Sequence, residues 1–292
     1  MFKVILADSW GFCFGVERAL KLVENTAHKS SGPIRILNKI VHNSSIVRKL
    51  EERDIVSIND LDEAVDGTLV ISAHGVSPAV RAKAEAKGLR IVDTTCPLVT
   101  RIHKTTKQLL DQGCTVLIYG DENHNEVKGV VGIAPDRILV IDDKTDLEML
   151  PEINGPVGFV SQSTQSTNYF DKLEQNLRQK YPQLEVHNTI CDPTVKRQEA
   201  IRSLAPEVDM LIAVGSTMSS NSQRLLELAK EYCPKSYLID DPGQIQAEWL
   251  RGVEKVGLTA GASTPAYLVK EVIEKLYKLY EENYLPQTQG RK

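Results

Sequence analysis

Short runs of Val, Ile and Leu alternate with amphipathic stretches along nearly the whole chain. Continuous apolar runs are typical of strands covered on both faces, and their alternation with helices is typical of parallel βα units. We therefore expect an α/β fold with small, mostly parallel sheets. The predicted strands lie at residues 2–7, 35–41, 54–58, 68–73, 90–93, 114–120, 137–141, 156–161, 184–190, 210–215, 236–240 and 255–261.

The residues that directly follow these strands repeat in a fixed order. Each cycle has a strand with a polar loop, a strand without one, a strand with a second polar loop, and a strand that leads to a cysteine. The third cycle lacks its last strand, which residues 2–7 would supply. The loop residues are His42, His74 and Cys96, then His124, Glu126, Ser163, Thr164 and Cys191, then Ser219, Ser220, Asn221, Ser263 and Cys13.

This order predicts three pseudo-equivalent α/β domains, the last of which is completed by the N-terminus. The expected boundaries are 14–96 for the first domain, 97–191 for the second, and 192–283 plus 1–13 for the third. Ligands of open α/β sheets bind outside the carboxyl ends of the strands, where loops and helix N-termini meet. Residues 284–292 are predicted to form a flexible tail.

The composition of the chain indicates which class of molecule it binds. The 292 residues include 39 acidic residues against 35 Lys and Arg, a net charge of −4, which argues against nucleic-acid or membrane-surface binding through a basic field. The N-terminus lacks a signal peptide, and no apolar stretch approaches the roughly 20 residues that a membrane span needs. We therefore expect a cytoplasmic protein with a small-molecule partner.

The five cysteines are too few and too scattered for a disulfide framework in a reducing compartment. Cys114, inside a strand, and Cys233, before a proline, are interpreted as packing residues. Cys13, Cys96 and Cys191 hold equivalent places in the three cycles, so their thiolates would converge on a common axis. Zinc prefers four ligands, usually from closely spaced pairs, whereas three thiolates on a four-iron cluster would leave one iron open for substrate.

Histidine, serine and glutamate at the strand ends indicate anion binding and proton transfer. His42, His74 and His124 can switch between neutral and cationic forms near neutral pH if their pKa stays near ~6.5. Glu126, two residues from His124, is the best candidate for a proton donor. The serines also fit helix N-caps. The remaining histidines, His28, His103 and His187, are interpreted as surface or structural residues.

Eight ordered motifs, between residue 2 and about residue 275, resemble the family of 4-hydroxy-3-methylbut-2-enyl diphosphate reductases, which complete the deoxyxylulose phosphate route to isoprenoids. The motifs are GFCFGV, VHNSS, SAHGVS, DTTCPLV, NHNEVKG, TIC followed by RQEA, SSNSQRL and TAGASTP. The resemblance implies a three-domain trefoil around a central 4Fe-4S cluster, held by Cys13, Cys96 and Cys191, with the substrate hydroxyl on the open iron.

The resemblance also implies the reaction and its partners. The allylic diphosphate substrate would be reductively dehydroxylated to isopentenyl and dimethylallyl diphosphate, with electrons from a ferredoxin or flavodoxin. Glu126 would be the proton source, helped by His124, Ser163 and Thr164. The diphosphate would bind to a set of histidines, serines and one asparagine, namely His42, His74, His124, Ser219, Ser220, Asn221 and Ser263.

The chain departs from the family pattern at three places. Asn125 stands where proline is frequent, Ser163 stands where threonine is expected, and Asp192 and Pro193 replace the residues usual after Cys191. The hydroxyl that places Glu126 would therefore come from Ser163. We expect the pKa of Glu126 to be raised, because the nearby cluster and diphosphate are anionic.

Two other classes of function stay open at the level of sequence. One is an iron-sulfur sensor that regulates DNA binding, which the absence of a basic recognition helix disfavours. The other is a zinc hydrolase of a phosphorylated metabolite, with His42, His74 and His124 as metal ligands.

Overall fold

The structure is a computed structural model, and it describes residues 2–30 and 32–284. Within these residues all twelve predicted strands are present. Their bounds are β1 Lys3–Leu6, β2 Ile34–Leu37, β3 Ile55–Ile58, β4 Thr68–Ile71, β5 Arg90–Asp93, β6 Thr115–Tyr119, β7 Ile138–Ile141, β8 Val157–Ser161, β9 Glu185–Val186, β10 Met210–Val214, β11 Ser236–Ile239 and β12 Lys255–Ala260.

The α-helices fill the intervals between strands, with short 3-10 turns in several of the loops. Their bounds are α1 Phe14–Lys29, α2 Ser44–Glu51, α3 Pro78–Ala86, α4 Pro97–Asp111, α5 Asn125–Val131, α6 Thr167–Lys180, α7 Asp192–Leu204, α8 Ser220–Tyr232 and α9 Ala266–Tyr284. No helix in the described ranges is both long enough and apolar enough to cross a membrane.

The strands form three four-stranded sheets, and every pairing is parallel. The sheet orders are β3-β2-β4-β5, β7-β6-β8-β9 and β11-β10-β12-β1. In each sheet the strands of one cycle stand in the order second, first, third, fourth. This shared topology confirms the predicted α/β fold class and the repeat that was inferred from the loop residues.

The N-terminal strand β1 pairs with β12 over Lys3–Leu6, so it supplies the fourth strand of the third sheet, as the sequence order predicted. The chain separates into two compact units, one of the residues up to Cys13 with those from Val195 onward, the other Phe14–Thr194. Each sheet lies inside one of the three predicted domains, whose boundaries stay a prediction. Of the predicted tail, all but Tyr284 lies outside the described residues.

Two predicted strands are too long. The strand predicted at 35–41 ends at Leu37, because Asn38 adopts the left-handed conformation with φ 62°. The strand predicted at 184–190 is ordered as a strand only over Glu185–Val186. Beyond it, Thr189 Oγ1 accepts a hydrogen bond from Ser161 N at 2.8 Å and donates one to Ser161 O at 2.6 Å. A side chain thus replaces the backbone ladder there.

Candidate functional site

The three cysteines of the repeat share one backbone contact. Each follows the last strand of its cycle, and its N–H donates to a carbonyl of the loop after the third strand of the same cycle. The three bonds are Cys96 N to Ala73 O at 3.0 Å, Cys191 N to Ser163 O at 3.0 Å and Cys13 N to Ala262 O at 3.1 Å. The fold therefore ties each cysteine to the loop that carries His74, Ser163 or Ser263.

The other two cysteines have different surroundings. Cys114 and Cys233 are buried within hydrophobic clusters, in agreement with the packing role expected for them. Cys13, Cys96 and Cys191 are half-buried, and Cys191 Sγ lies 3.1 Å from Thr194 Oγ1. Partly accessible thiols at strand ends can act as metal ligands once they are deprotonated.

The rings of His42, His74 and His124 form one cluster. Their centroids lie 5.0 Å apart for His42 and His74, 5.7 Å for His42 and His124, and 5.2 Å for His74 and His124. One ring nitrogen from each lies within 4.8 Å of the other two, and all three side chains are half-buried. The loops after β2, β4 and β6 thus bring together three residues that span more than 80 positions of the chain.

Burial and mutual repulsion keep these imidazoles neutral. Burial is the main cause that lowers the pKa of each, and the neighbouring histidines lower the pKa values of His74 and His124 further. The pKa of His124 falls to about 4, and that of His42 is lowered by burial and by Lys39. The expectation that these histidines titrate near neutral pH is therefore wrong for the ligand-free protein.

Hydrogen bonds indicate which ring nitrogen carries the proton in the neutral form. Glu126 N donates to His124 Nδ1 at 3.2 Å, so the proton of neutral His124 resides on Nε2. His74 Nδ1 lies 3.3 Å from Ser72 Oγ. A neutral imidazole of this tautomer still offers one N–H to an acceptor, so His124 can donate to an anion without first taking up a proton.

Glu126 is a buried carboxyl group with two hydrogen-bond donors. It is 2% exposed, its Oε1 accepts from Ser163 N at 2.6 Å, and its Oε2 accepts from Ser163 Oγ at 2.7 Å. The predicted contact with Ser163 is thus present. Burial raises the pKa of Glu126 to about 6, and the two bonds from Ser163 oppose the rise. The expected direction is confirmed, but burial, not nearby negative charge, causes it here.

Gln162, which the sequence argument did not select, connects the loops of Glu126 and Ser163. Its Oε1 accepts from Asp121 N at 3.1 Å, and its Nε2 donates to Thr164 Oγ1 at 3.2 Å. The side chain is fully buried, which is uncommon for an amide. The only feature of the sequence that could have indicated a role for Gln162 is its position directly after β8, within a run of polar residues.

The polar residues of the third sheet line the start of α8 and the loop after β12. Ser219 caps α8 by accepting from Ser222 N at 3.3 Å, and Ser263 is 7% exposed. Asn221 is 3% exposed, and neither its Oδ1 nor its Nδ2 has a hydrogen-bond partner within the residues described. Because buried amides are normally satisfied, this arrangement indicates a ligand at Asn221.

Arg197 is a second buried residue that the sequence argument passed over. Its guanidinium is 3% exposed and donates to the carbonyl of Gly11, two residues before Cys13. A buried cation next to a thiol-bearing loop favours negative charge in that loop. Arg197 begins the RQEA motif, but arginine is ordinarily a surface residue, so its burial could not be inferred from the sequence.

The predicted site residues fall into both compact units. Phe14–Thr194 contains the three-histidine cluster, Glu126 with Ser163 and Thr164, Cys96 and Cys191. The other unit contains Cys13, Ser219, Ser220, Asn221 and Ser263. The first group offers neutral donors for an anion, together with a carboxyl group whose pKa is raised to about 6.

Comparison with known proteins gives consistent matches over nearly the whole chain. The family model described as LytB protein matches residues 4–277. The chain is similar to the protein named 4-hydroxy-3-methylbut-2-enyl diphosphate reductase of Tolumonas auensis, with 40% identity over 95% of this chain and 92% of that protein. The reductase of the same name from Chromohalobacter salexigens is 42% identical over 96% and 91%.

Solved structures show the same fold. The E-1-hydroxy-2-methyl-but-2-enyl-4-diphosphate reductase of Plasmodium falciparum matches with a TM-score of 0.90 and 32% identity, covering 93% of this chain and 86% of that one. A structure described as (E)-4-hydroxy-3-methyl-but-2-enyl diphosphate reductase, the terminal enzyme of the non-mevalonate pathway, matches with a TM-score of 0.68 and 36% identity over 95% and 100%.

Proposed function

The chain belongs to the LytB protein family, and from this membership we propose that it reduces 4-hydroxy-3-methylbut-2-enyl diphosphate to isopentenyl and dimethylallyl diphosphate. The overall reaction consumes two electrons and two protons: the allylic C–O bond breaks, a C–H bond forms and water leaves. The observation that carries the proposal is Glu126, a buried acid with a pKa raised to about 6. Ser163 holds its carboxyl group, and the backbone N–H of Glu126 donates to His124 of the three-histidine cluster.

The proposed cofactor is a 4Fe-4S cluster held by Cys13, Cys96 and Cys191, with the three domains arranged around it. The donor set supports this choice, because the three thiols occupy equivalent positions and each N–H is fixed by an equivalent bond. Iron-sulfur clusters take thiolate ligands, and three of them leave one iron open. When bound, such a cluster would supply electrons and a Lewis acid for the substrate oxygen.

The diphosphate is assigned to the histidine cluster and to the polar residues of the third sheet. Neutral His124, His74 and His42 would donate N–H groups to phosphate oxygens, and an anion would in turn favour their cationic forms. The unsatisfied amide of Asn221 and the hydroxyls at the start of α8 support the second half of the assignment. The donors there are Ser219, Ser220, Asn221 and Ser263.

Glu126 is the proposed proton donor. Burial raises the pKa of Glu126 to about 6, so half of it is protonated at about that pH and a minor fraction at pH 7. Ser163 Oγ, 2.7 Å from Oε2, can accept the proton of the neutral acid as readily as it donates to the carboxylate. Ser163 therefore holds the proton at Oε2, facing the loop that also carries Thr164. His124, whose Nδ1 accepts from Glu126 N, would orient the same backbone.

The electron donor is proposed to be a ferredoxin or a flavodoxin, because two one-electron transfers are needed and the chain offers no nicotinamide-binding glycine motif. A zinc hydrolase is the competing function. Zinc at His124 Nε2 would require the proton on Nδ1, and that tautomer would lose the bond from Glu126 N. The tautomer thus favours an anion over a metal at the histidines.

A turnover assay separates the two functions. Anaerobically purified protein, reduced with dithionite, should convert the allylic diphosphate substrate to the two five-carbon products with both phosphates retained, as detected by mass spectrometry. Release of inorganic phosphate without reduced products, in a reaction that zinc stimulates, would contradict the proposal and support a hydrolase.

A further inference from the structure

His103, a histidine without a role in the proposed chemistry, lies on α4 two helical turns after Cys96. Its side chain is half-buried, and its Nε2 is buried with no hydrogen-bond partner among the residues that the structure describes. Burial also lowers the pKa of His103, which Asp93 opposes, so the ring is neutral near pH 7. A neutral ring without a hydrogen-bond partner at this nitrogen interacts with its surroundings there by van der Waals packing.

One edge of the His103 ring is in contact with two backbone segments of the site. A methyl group placed on Gly75 would lie 3.5 Å from His103 Nε2, and one placed on Gly129 would lie 3.4 Å from both Cε1 and Nε2. Gly75 directly follows His74, and Gly129 lies on α5, one turn after Glu126. The ring therefore lies against the loop of one functional residue and the helix of another.

The same loop and helix also touch each other at glycines. A methyl group on Gly129 would lie 3.5 Å from the carbonyl carbon of Val76, whereas one on Gly132 would overlap Ser77 Cβ. Ser77 caps α3 by accepting from Val80 N at 3.3 Å, so its Cβ cannot move without its backbone. Gly132 thus allows an approach between the loop and α5 that no larger residue permits.

We propose that His103 is a positioning residue: with Gly132 it fixes loop 74–77 against α5 and thereby sets the spacing of His74 from His124 and Glu126. The inference rests on the proposed function, because its consequence is read in diphosphate binding and in turnover. Proton transfer and anion binding both require these groups in place at once, so a loose contact would impair both.

The first test is His103→Ala in the cluster-loaded protein. We expect turnover to fall by about 10-fold to 100-fold, since displacements of about 1 Å can cost that much, and binding of inorganic diphosphate to weaken, with iron and sulfide content unchanged. His103→Gln, which reaches nearly as far as the imidazole, should restore most of both properties. Wild-type binding and turnover in His103→Ala would overturn the proposal.

A matched control separates positioning from loss of stability. Leu177 is fully buried in the last turn of α6, at the opposite edge of its sheet from the site loops. Leu177→Ala should lower the melting temperature more than His103→Ala does, because it leaves a larger apolar cavity, yet keep wild-type turnover well below that temperature. Equal loss of turnover in both variants would show that His103 acts only through stability.

Gly129 of α5 and Gly132, which directly follows the helix, give a second, independent pair. Gly132→Ala should shift loop 74–77 and reproduce the His103→Ala defects, whereas Gly129→Ala, which meets only ordinary contact distances, should stay near wild type. Wild-type behaviour of Gly132→Ala would contradict the proposal. If the wild-type protein itself neither binds diphosphate nor turns over, the proposed function fails instead, so the two failures are distinguishable.

Discussion

The first two sheets and the third sheet present different chemistry at equivalent positions of one topology. In the first two, three of the four polar loops end in imidazoles, His42, His74 and His124, which burial holds in the neutral form. In the third, the equivalent loops carry Ser219 to Asn221 and Ser263, none of which can ionise in the working range of pH.

The difference implies that the two sets of residues would bind an anion in different ways. Hydroxyl and amide groups donate at any pH and lose little on burial when they meet an acceptor. Imidazoles donate one hydrogen while neutral, and they can take up a proton once an anion offsets the cost of burying charge. Sensitivity to pH should therefore reside in the histidine loops, whereas the strand-end cysteines are common to all three sheets.

The largest effect is expected from the shared cysteines. Cys13→Ser, Cys96→Ser and Cys191→Ser should each abolish turnover, because serine is a poor ligand for iron that thiolate binds. Cys114→Ser and Cys233→Ser are the controls, since these thiols pack within apolar clusters, and both should stay active. The five variants are compared by their initial rates of turnover under anaerobic conditions. Full activity in any of the first three variants would remove that cysteine from the site.

Replacing Glu126 should give the next largest effect. Glu126→Gln keeps the size of the side chain but cannot release an acidic proton, so turnover should fall by at least ~100-fold with substrate binding retained. In the wild type, kcat/KM should decline as pH rises through about 6, because the free enzyme loses the protonated acid there. The variant should lack this decline. Wild-type rates in Glu126→Gln would leave proton delivery to His124 or to bound water.

Removing the hydroxyl of Ser163 should lower turnover less than replacing Glu126 does. Ser163→Ala removes the bond to Glu126 Oε2 but keeps the backbone bond to Oε1, so turnover should fall by about 10-fold, within the range for hydrogen bonds to charged groups. Ser163→Thr retains the hydroxyl and should be nearly neutral. Single-turnover assays with dithionite-reduced protein make the comparison, and equal rates in the alanine and threonine variants would show that the hydroxyl is dispensable.

The smallest expected effect is on the number of protons that the protein takes up when diphosphate binds. The ligand-free histidines have lowered pKa values, so binding of inorganic diphosphate should draw protons from solution and strengthen as pH falls. His42→Phe should reduce the proton uptake by up to about one proton per site. Ser263→Ala should weaken diphosphate binding but leave the proton uptake unchanged. Calorimetry in buffers of different ionisation enthalpy measures the uptake. Equal proton uptake in the two variants would contradict the division between the sheets.

Much of the fold could be predicted from the sequence, because strand runs and the loop residues that follow them are local signals. The order of loops from His42 to Cys13 was enough to place β1 in the third sheet, next to β12. Strand β9 was predicted at 184–190 but ends at Val186, since the hydroxyl of Thr189 takes over a backbone role that the apolar pattern does not encode.

For the electrostatics of the site, the sequence predicted the direction of the Glu126 pKa shift but not its cause, and it did not predict the lowered pKa values of the histidines, because these depend on burial rather than on residue type. His124 and Glu126 are two positions apart, yet burial lowers the pKa of the first to about 4 and raises that of the second to about 6. Gln162, Arg197 and His103 were passed over for a related reason. Their importance lies in contacts between distant segments, such as Arg197 with Gly11, which no local pattern shows.

The metal content of anaerobically purified wild-type protein decides whether three cysteines from equivalent strand ends hold an iron-sulfur cluster. We expect a brown protein with about four iron and four sulfide per chain, whose cluster is retained in Cys114→Ser and Cys233→Ser and lost in Cys13→Ser, Cys96→Ser and Cys191→Ser. A colourless protein that contains zinc, with the zinc lost in His42→Phe, would contradict it.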